Sequence, residues 1–315
     1  VSAPGVPPRV AVGIATWRRP DGLARLLEGL GRQIFVRGPR PAYTLLVADN
    51  DAGGSAEPVV RALAPDLGVP VAYAVEPTPG LAAVRNRLID ILPAEAEALA
   101  FIDDDEVPAP DWLDALLAER RSTGAGIVVG RVEPFFPDAV PAWVSEGGFF
   151  RLAGGVSGAP TRRGGSCNCL IDARLFRDLG LRFADAYGET GGEDTHLIWR
   201  ASAAGERVVW CEEAVVTEWI SAERATVGWL VRREYREGGT VALVERDLGA
   251  SPLRQAERLL RGAARIGQGV ATAGTAPPVT PALTARAVQG AKLVARGAGM
   301  IAGVFGCHLR EYARR

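Results

Sequence analysis

Ala98-Leu99-Ala100-Phe101-Ile102-Asp103-Asp104-Asp105-Glu106-Val107-Pro108 decides how the chain is read. An apolar run drives into three aspartates and a glutamate, and a proline stops it. The apolar part has the length and composition of a buried strand. A buried strand does not carry unpaired carboxylates, because desolvating a charge is costly. The acidic cluster therefore belongs at the strand's carboxyl end, where open α/β sheets place their ligands. Clustered carboxylates repel one another unless a cation sits among them. Hard divalent ions such as Mg²⁺ or Mn²⁺ favour such oxygen ligands and keep phosphate oxygens as further ones. A plainer reading exists. Acidic residues complement a helix dipole, and Pro110-Asp111-Trp112 opens a helix immediately afterwards.

The rest of the chain decides between them. Arg9–Thr16, Tyr43–Ala48 and Val69–Val75 read as three earlier buried strands, with Leu23, Leu26, Leu27 and Leu30 at helical spacing after the first. Further helices are expected at 58–63 and 81–91. Strand–helix alternation repeated this often argues a parallel sheet covered on both faces. Polar residues collect at Thr16–Arg19, Asp49–Asp51, Pro79-Gly80 and Asp103–Glu106. Each group follows a predicted strand, so all four fall on one sheet edge.

Further on, 112–119 reads as a helix and Gly126–Val132 as a strand. Phe135–Gly158 has no clean period and reads as an irregular loop. A glycine turn leads into a strand ending at Ile171, and 174–179 is a short helix. Gly191-Gly192-Glu193-Asp194 sets a second acidic pair at a helix start. Val208–Trp210 and Ala214–Val216 read as two short strands.

The 315 residues, 48% hydrophobic, are enough for a large core. Cys167, Cys169, Cys211 and Cys307 show neither metal-ligand spacing nor a disulfide framework, which favours a reducing compartment. Residues 1–8 read as a disordered leader rather than a secretory signal. The net charge of −1 hides an asymmetry: ten basic and two acidic residues lie from Ser251 onward, leaving 26 and 35 in the body. Two amphipathic helices are expected there. The first carries a stripe of Arg254, Arg258, Arg261 and Arg265. The second gathers Leu283, Ala287, Ala291, Val294, Ala298, Ile301 and Phe305 on one face. The uncharged run 297–307 is too short to span a bilayer. It fits a helix lying in a membrane interface, or one arm of a hairpin packed on the body.

Together these residues resemble the family 2 glycosyltransferases of the GT-A fold, over Val10 to about Gly239. The resemblance is carried by Val10–Thr16, Val47-Ala48-Asp49-Asn50, Gly80–Asn86, Phe101–Asp105, and Gly192-Glu193-Asp194 followed by Leu197 and Arg200. It is closest to the bacterial branch that builds exopolysaccharide or other lipid-linked glycans. The fold it implies is α/β, a Rossmann-like, mostly parallel sheet flanked by helices, with a C-terminal helical extension. Residues 9–115 would form the nucleotide-sugar-binding half and 116–250 the acceptor-binding and catalytic half of the same domain. Residues 251–315 would form the basic tail.

The resemblance assigns nucleotide contacts to Thr16, Arg18, Asp49, Gly80, Arg85 and Asp103, with Asp104 assisting. It assigns the metal, Mn²⁺ or Mg²⁺, to Asp105 and the catalytic base to Asp194 beside Glu193. Many relatives place a metal-binding histidine after the last strand. Here Thr217-Glu218-Trp219 stands there, which nominates Glu218 as the ligand. His196 reads as structural. The implied activity is inverting transfer of a sugar from a nucleotide donor, a UDP-sugar in the first instance, to a lipid-linked or glycan hydroxyl. The implied location is cytoplasmic, at the inner face of the cell membrane, with the tail in peripheral contact.

Rival readings fare worse. Asp103-Asp104-Asp105-Glu106-Val107 fits the pattern of haloacid-dehalogenase-type phosphatases. That family needs a catalytic lysine and a first-strand motif, and the one lysine, Lys292, lies in the tail. A nucleotidyltransferase would need a basic glycine-rich loop after the first strand. An inactive nucleotide- or carbohydrate-binding module would not need Asp103, Asp105 and Asp194 together. A nucleic-acid binder would interleave aromatics with the basic tail, and its body would not be acidic.

Overall fold

The computed structural model describes residues 7–151, 154–188, 190–274, 285–307 and 309. Most of the expected leader, and Leu283 of the last helix, lie outside them. Eight strands form one sheet among these residues, in the order β3-β2-β1-β4-β7-β6-β8-β5. The first half contains β1 (Arg9–Thr16), β2 (Ala42–Asp49), β3 (Val71–Val75) and β4 (Ala98–Asp103). These four run parallel. Side chains alternate across β1. Val10, Val12 and Ile14 join one core with Leu23, Leu26, Leu27 and Leu30 of α1 (Pro20–Gly31) and with α4 (Trp112–Thr123). Ala11 joins the other, with Leu88 of α3 (Leu81–Asp90), and both cores exclude water from the sheet. Each fully buried leucine contributes roughly 1.5–3 kcal/mol.

The second half departs from a purely parallel sheet. It holds β5 (Glu106–Pro108), β6 (Ile127–Phe135), β7 (Asn168–Asp172) and β8 (Val208–Trp219). β7 runs antiparallel to β4 and β6, and β5 antiparallel to β8. A parallel return needs a crossover, usually a helix. The segment between β6 and β7 has no helical period beyond the short α5 (Ala142–Glu146), so the chain comes back in reverse. The two short strands expected at 208–216 are one strand, whose pairing with β6 shifts register between Gly130 and Arg131. After β7 come α6 (Ala173–Arg177) and α7 (Glu193–Ala203).

The tail is a hairpin packed on the body. α8 (Val227–Asp247) leaves the sheet, and α9 (Pro252–Gly274) and α10 (Ala285–Val304) follow. α10 lies against both α8 and α9. Part of the apolar face expected to meet a membrane packs against α9 instead, with Val294 beside Gly269 and Ile301 beside Gly262, while Phe305 stays exposed. Glycines let the backbones approach. A Cβ at Gly299 would stand 1.9 Å from the Tyr235 carbonyl oxygen, and one at Gly238 would stand 2.2 Å from that of Arg296. Lys292 and Arg296 pair with Glu234, and Arg258 with Glu245, so part of the tail's basic charge is spent inward.

Gly299→Val should separate α10 from α8 and destabilise the protein by about 1–3 kcal/mol. Urea unfolding measures this, and an unchanged midpoint would contradict the packing.

Candidate active site

Register sets the site. Thr16 lies level with Asp49, and Ala15 level with Asp103, so β2, β1 and β4 end on one line. β5 then pairs Glu106 with Glu218 of β8, while the Trp219 amide donates to the Asp105 carbonyl at 2.8 Å. This brings Glu218 beside the acidic turn from more than a hundred residues away. α1 closes the floor: a Cβ on Gly22 would stand 2.4 Å from the Asp104 carbonyl oxygen.

Each carboxylate of the turn has its own partners. Asp104 is buried, accepting from Thr16 Oγ1 at 2.8 Å and Arg19 Nη1 at 2.9 Å. Asp105 accepts from Arg19 at 3.0 Å and Arg224 at 3.2 Å. Arg224 also donates to Glu218 at 2.5 Å, tying Glu218 to Asp105. Glu106 is buried and accepts from the Asp103 amide at 3.0 Å, pinning the turn. Burial and the neighbouring Asp103, Asp105 and Glu218 hold its carboxyl well above the usual range. Burial pushes Asp105 up to about 7, Asp103 and Glu218 add to this, and Arg19 opposes it.

Arg85 joins the two acidic centres. It is buried rather than an exposed helix arginine, and it reaches Glu193 through Nη1 and Asp103 through Nη2, the latter at 3.2 Å. Burial and Asp194 push the Glu193 carboxyl up, against the Arg85 guanidinium. Glu193 and Asp194 begin α7, which starts from Gly192 at φ +99°. Asp194 accepts from the Thr195 amide through Oδ1 at 2.6 Å. Its Oδ2 lies where a Cβ on Gly165 would be 2.8 Å away. The half-buried Cys167 stands between the centres. Burial, and then Glu106, Asp103, Glu218 and Asp194, raise its thiol well above the usual value. Strand end and helix start are thus joined through Arg85. Glu193 Oε2 and Ser166 Oγ are buried there without a hydrogen-bond partner. Such groups cost roughly 1–3 kcal/mol unless a ligand satisfies them.

The first-half loops complete the rim. Arg18 takes φ +53°, a left-handed conformation uncommon for arginine, and pairs with Asp51 at 3.2 Å. That contact holds the Asp51 carboxyl below the usual range. Asp49 is buried and committed to its own loop, accepting from the Asp51 and Ala56 amides and from Tyr73 Oη. Asn50 donates to the carbonyls of Glu76 and Thr78 and accepts from the Gly80 amide at 3.0 Å, placing Gly80 at the start of α3. His196 is buried and stacks on Tyr187 at 4.9 Å, away from the carboxylates' hydrogen bonds.

The expected residues therefore gather at one edge. Sequence reasoning missed Arg19, Asn50, Asp51, Ser166 and Arg224. The first three sat inside loops already marked as polar strand endings. Arg224 had no signal beyond standing six residues after Glu218.

A family model described as glycosyl transferase family 2 matches residues 11–180. The chain belongs to that family. It is 32% identical over 309 residues to the succinoglycan biosynthesis protein ExoM of Rhizobium meliloti, covering 97% of this chain and 96% of that one. It is 22% identical over 231 residues to the glycosyltransferase AglE of Haloferax volcanii, covering 73% and 72%. Among solved structures, the mannosyltransferase PcManGT of Pyrobaculum calidifontis, in complex with GDP-Man and Mn²⁺, superposes with a TM-score of 0.64 at 19% identity, covering 93% and 87%. S. aureus TarS 1–349, in complex with UDP-GlcNAc, superposes with 0.52 at 14% identity, covering 75% and 66%. The transferase has the GT-A fold, with C-terminal helices added.

Among the described residues no three His, Cys, Asp or Glu side chains converge as a preformed metal cage. The donor set still fits a hard divalent ion of the kind that takes one or two carboxylates and fills its remaining positions with phosphate oxygens and water. Asp105 and Glu218 share Arg224, and burial, then Asp103 and Glu218, raise Asp105 even with two arginines in contact.

The sign of the pH effect follows from that shift. Between the ordinary carboxylate range and about 7, the folded chain binds more protons at Asp105 than the unfolded chain. Stability is therefore lost as pH rises through this window. Asp105→Asn removes the loss. It should raise the Tm of the ligand-free transferase by about 2–4 °C at pH 8, with the gain shrinking toward pH 5. Thermal melts across pH check this, and a pH-independent gain would contradict it.

Proposed function

We propose that the transferase moves a sugar from a nucleotide donor, a UDP-sugar in the first instance, to a hydroxyl of a lipid-linked or glycan acceptor, with inversion. Exopolysaccharide assembly is supported by the near full-length similarity to the succinoglycan biosynthesis protein ExoM, and the cytoplasmic face of a membrane is the location this proposal adds. The observation that carries the reading is that Arg224 bridges Asp105 and Glu218 while Arg85 bridges Asp103 and the helix start at Glu193-Asp194, so the four carboxylates share one sheet edge.

In this reading Thr16, Arg18 and Gly80 line the base and ribose end, with Asp51 beside Arg18, and Asp103 meets the ribose. Asp49 and Asp104 act from below, holding the loops and the turn that present these groups. Asp105 and Glu218 would hold Mn²⁺ or Mg²⁺, which when bound neutralises charge on the departing diphosphate. Asp194 stands at the helix start with Oδ2 free of the Thr195 amide. It takes the proton of the acceptor hydroxyl as that oxygen bonds to the anomeric carbon. The bond from the anomeric carbon to the diphosphate oxygen breaks with its electron pair, and the nucleoside diphosphate leaves. Attack from the face opposite the leaving group inverts the centre. Arg85 holds Glu193 and Asp103 in place, so the donor and acceptor ends stay aligned.

Calorimetry should show UDP binding that strengthens at least about tenfold with Mn²⁺, one tenfold step being about 1.4 kcal/mol. Metal-independent UDP binding, or none, would overturn the donor assignment. Asp194→Asn should retain that binding and lose transfer by about 10²-fold or more, read as product by mass spectrometry. Surviving transfer would remove Asp194 from its role.

A further inference from the structure

α9 buries only Gly262 and Gly269 fully, yet it is a 23-residue helix, about 34 Å long. At 100° per residue, Leu253, Ala256, Leu260, Ala263, Ala264, Gly267, Val270, Ala271 and Gly274 fall on one arc. All of these are exposed, with Leu253 at 80%, Leu260 at 73% and Val270 at 62%. No charged residue interrupts the arc. One edge is bordered by Arg254, Arg261 and Arg265. The other merges with an open apolar groove of about 1010 Å³, where Val270 and Gly274 meet Ala287, Ala291 and Val294 of α10. An apolar strip of this length is unusual on a solvated surface.

The charge along the edge selects the partner. Glu257 is the one acid in α9, and Arg254 and Arg261 both pair with it. Arg265 makes no ion pair among the described residues. The edge is therefore net positive, on a tail with ten basic and two acidic residues. A helix with an apolar face and an arginine border lies flat in the boundary of an anionic bilayer, apolar side among the acyl chains and guanidiniums at the headgroup phosphates. A second copy of the same net-positive edge has no complementary charge to offer.

We infer that the outer face of α9 is the transferase's docking surface for an anionic lipid bilayer, with α10 as the buried support between α9 and α8. This deepens the membrane placement proposed above and rests on it. It also gives the helix order a purpose. α8 begins two residues after Ala225, the neighbour of Arg224, which contacts Asp105 and Glu218. The helix carrying the bilayer face is thus fastened, through α10 and α8, to the catalytic edge.

The test uses the whole chain and vesicles of phosphatidylcholine with and without phosphatidylglycerol. Co-sedimentation should show binding to the anionic vesicles. Leu253→Glu, Leu260→Glu and Val270→Glu combined should reduce it by about tenfold or more. These side chains are exposed, so circular dichroism and the UDP–Mn²⁺ titration should match the parent. Arg261→Glu with Arg265→Glu should weaken binding to anionic vesicles and leave the neutral ones unaffected. If the parent does not bind anionic vesicles, both the face and the membrane placement fall. Should the triple variant bind as well as the parent, the face alone is wrong. A parent dimer that the triple variant dissolves, with no vesicle binding, would assign the face to a second copy and overturn the inference. None of these outcomes depends on donor binding, so loss of the transferase reading would be seen separately in the calorimetry.

Discussion

Negative charge crowded at one sheet edge is the constraint around which the transferase is arranged. Asp103, Asp104, Asp105 and Glu106 follow one another in sequence, and the β5–β8 pairing adds Glu218. Left alone, such a cluster would repel itself and would not be buried. Three arginines from three parts of the chain offset it: Arg19 from the loop after β1, Arg85 from α3, and Arg224 from the turn before α8. Each contacts two carboxylates, so each fastens its own segment to the acidic edge. Burial, with Asp103 and Glu218 beside it, still holds the Asp105 carboxyl well above the usual range despite two arginine contacts.

The first half of the fold could be read from residues because its physics is local. Four apolar runs end in polar loops, and helical periods fill the gaps between them, so β1 to β4 follow from pattern alone. The second half was harder. Its strands are set by pairing rather than by period, and nothing in Phe135–Gly158 announces that β7 returns antiparallel. Glu218 is nominated by resemblance alone, because its neighbour Asp105 is fixed by a three-residue strand no pattern would flag. Arg224 and Arg19 are hidden in the sequence for a related reason. An arginine's partner is a tertiary fact, and 24 other basic residues outside the tail offer no contrast.

Several expected residues gather at the edge but act by support. Asp49 spends its oxygens on two backbone amides and Tyr73, and Asp104 on Thr16 and Arg19. Type and position mark both residues as belonging to this edge, but burial decides whether a carboxylate faces outward or its own loop. The tail shows the same lesson at larger scale. Periodicity found two amphipathic helices, and both exist. Which one is covered was settled by glycines, whose missing Cβ atoms let α10 sink between α8 and α9. α9 was left as the outer helix, its apolar arc facing away from the protein.

Asp105 and Glu218, held by Arg19 and Arg224 in the free chain, are the proposed cation seat of the donor complex. A crystal of the transferase grown with UDP and Mn²⁺, measured at the manganese absorption edge, tests this proposal. An anomalous peak is expected within bonding distance of an Asp105 carboxylate oxygen and of the diphosphate. Arg224 would be displaced from at least one of its two carboxylates. A bound diphosphate with no manganese at Asp105, and Arg224 still bridging Asp105 and Glu218, would contradict it.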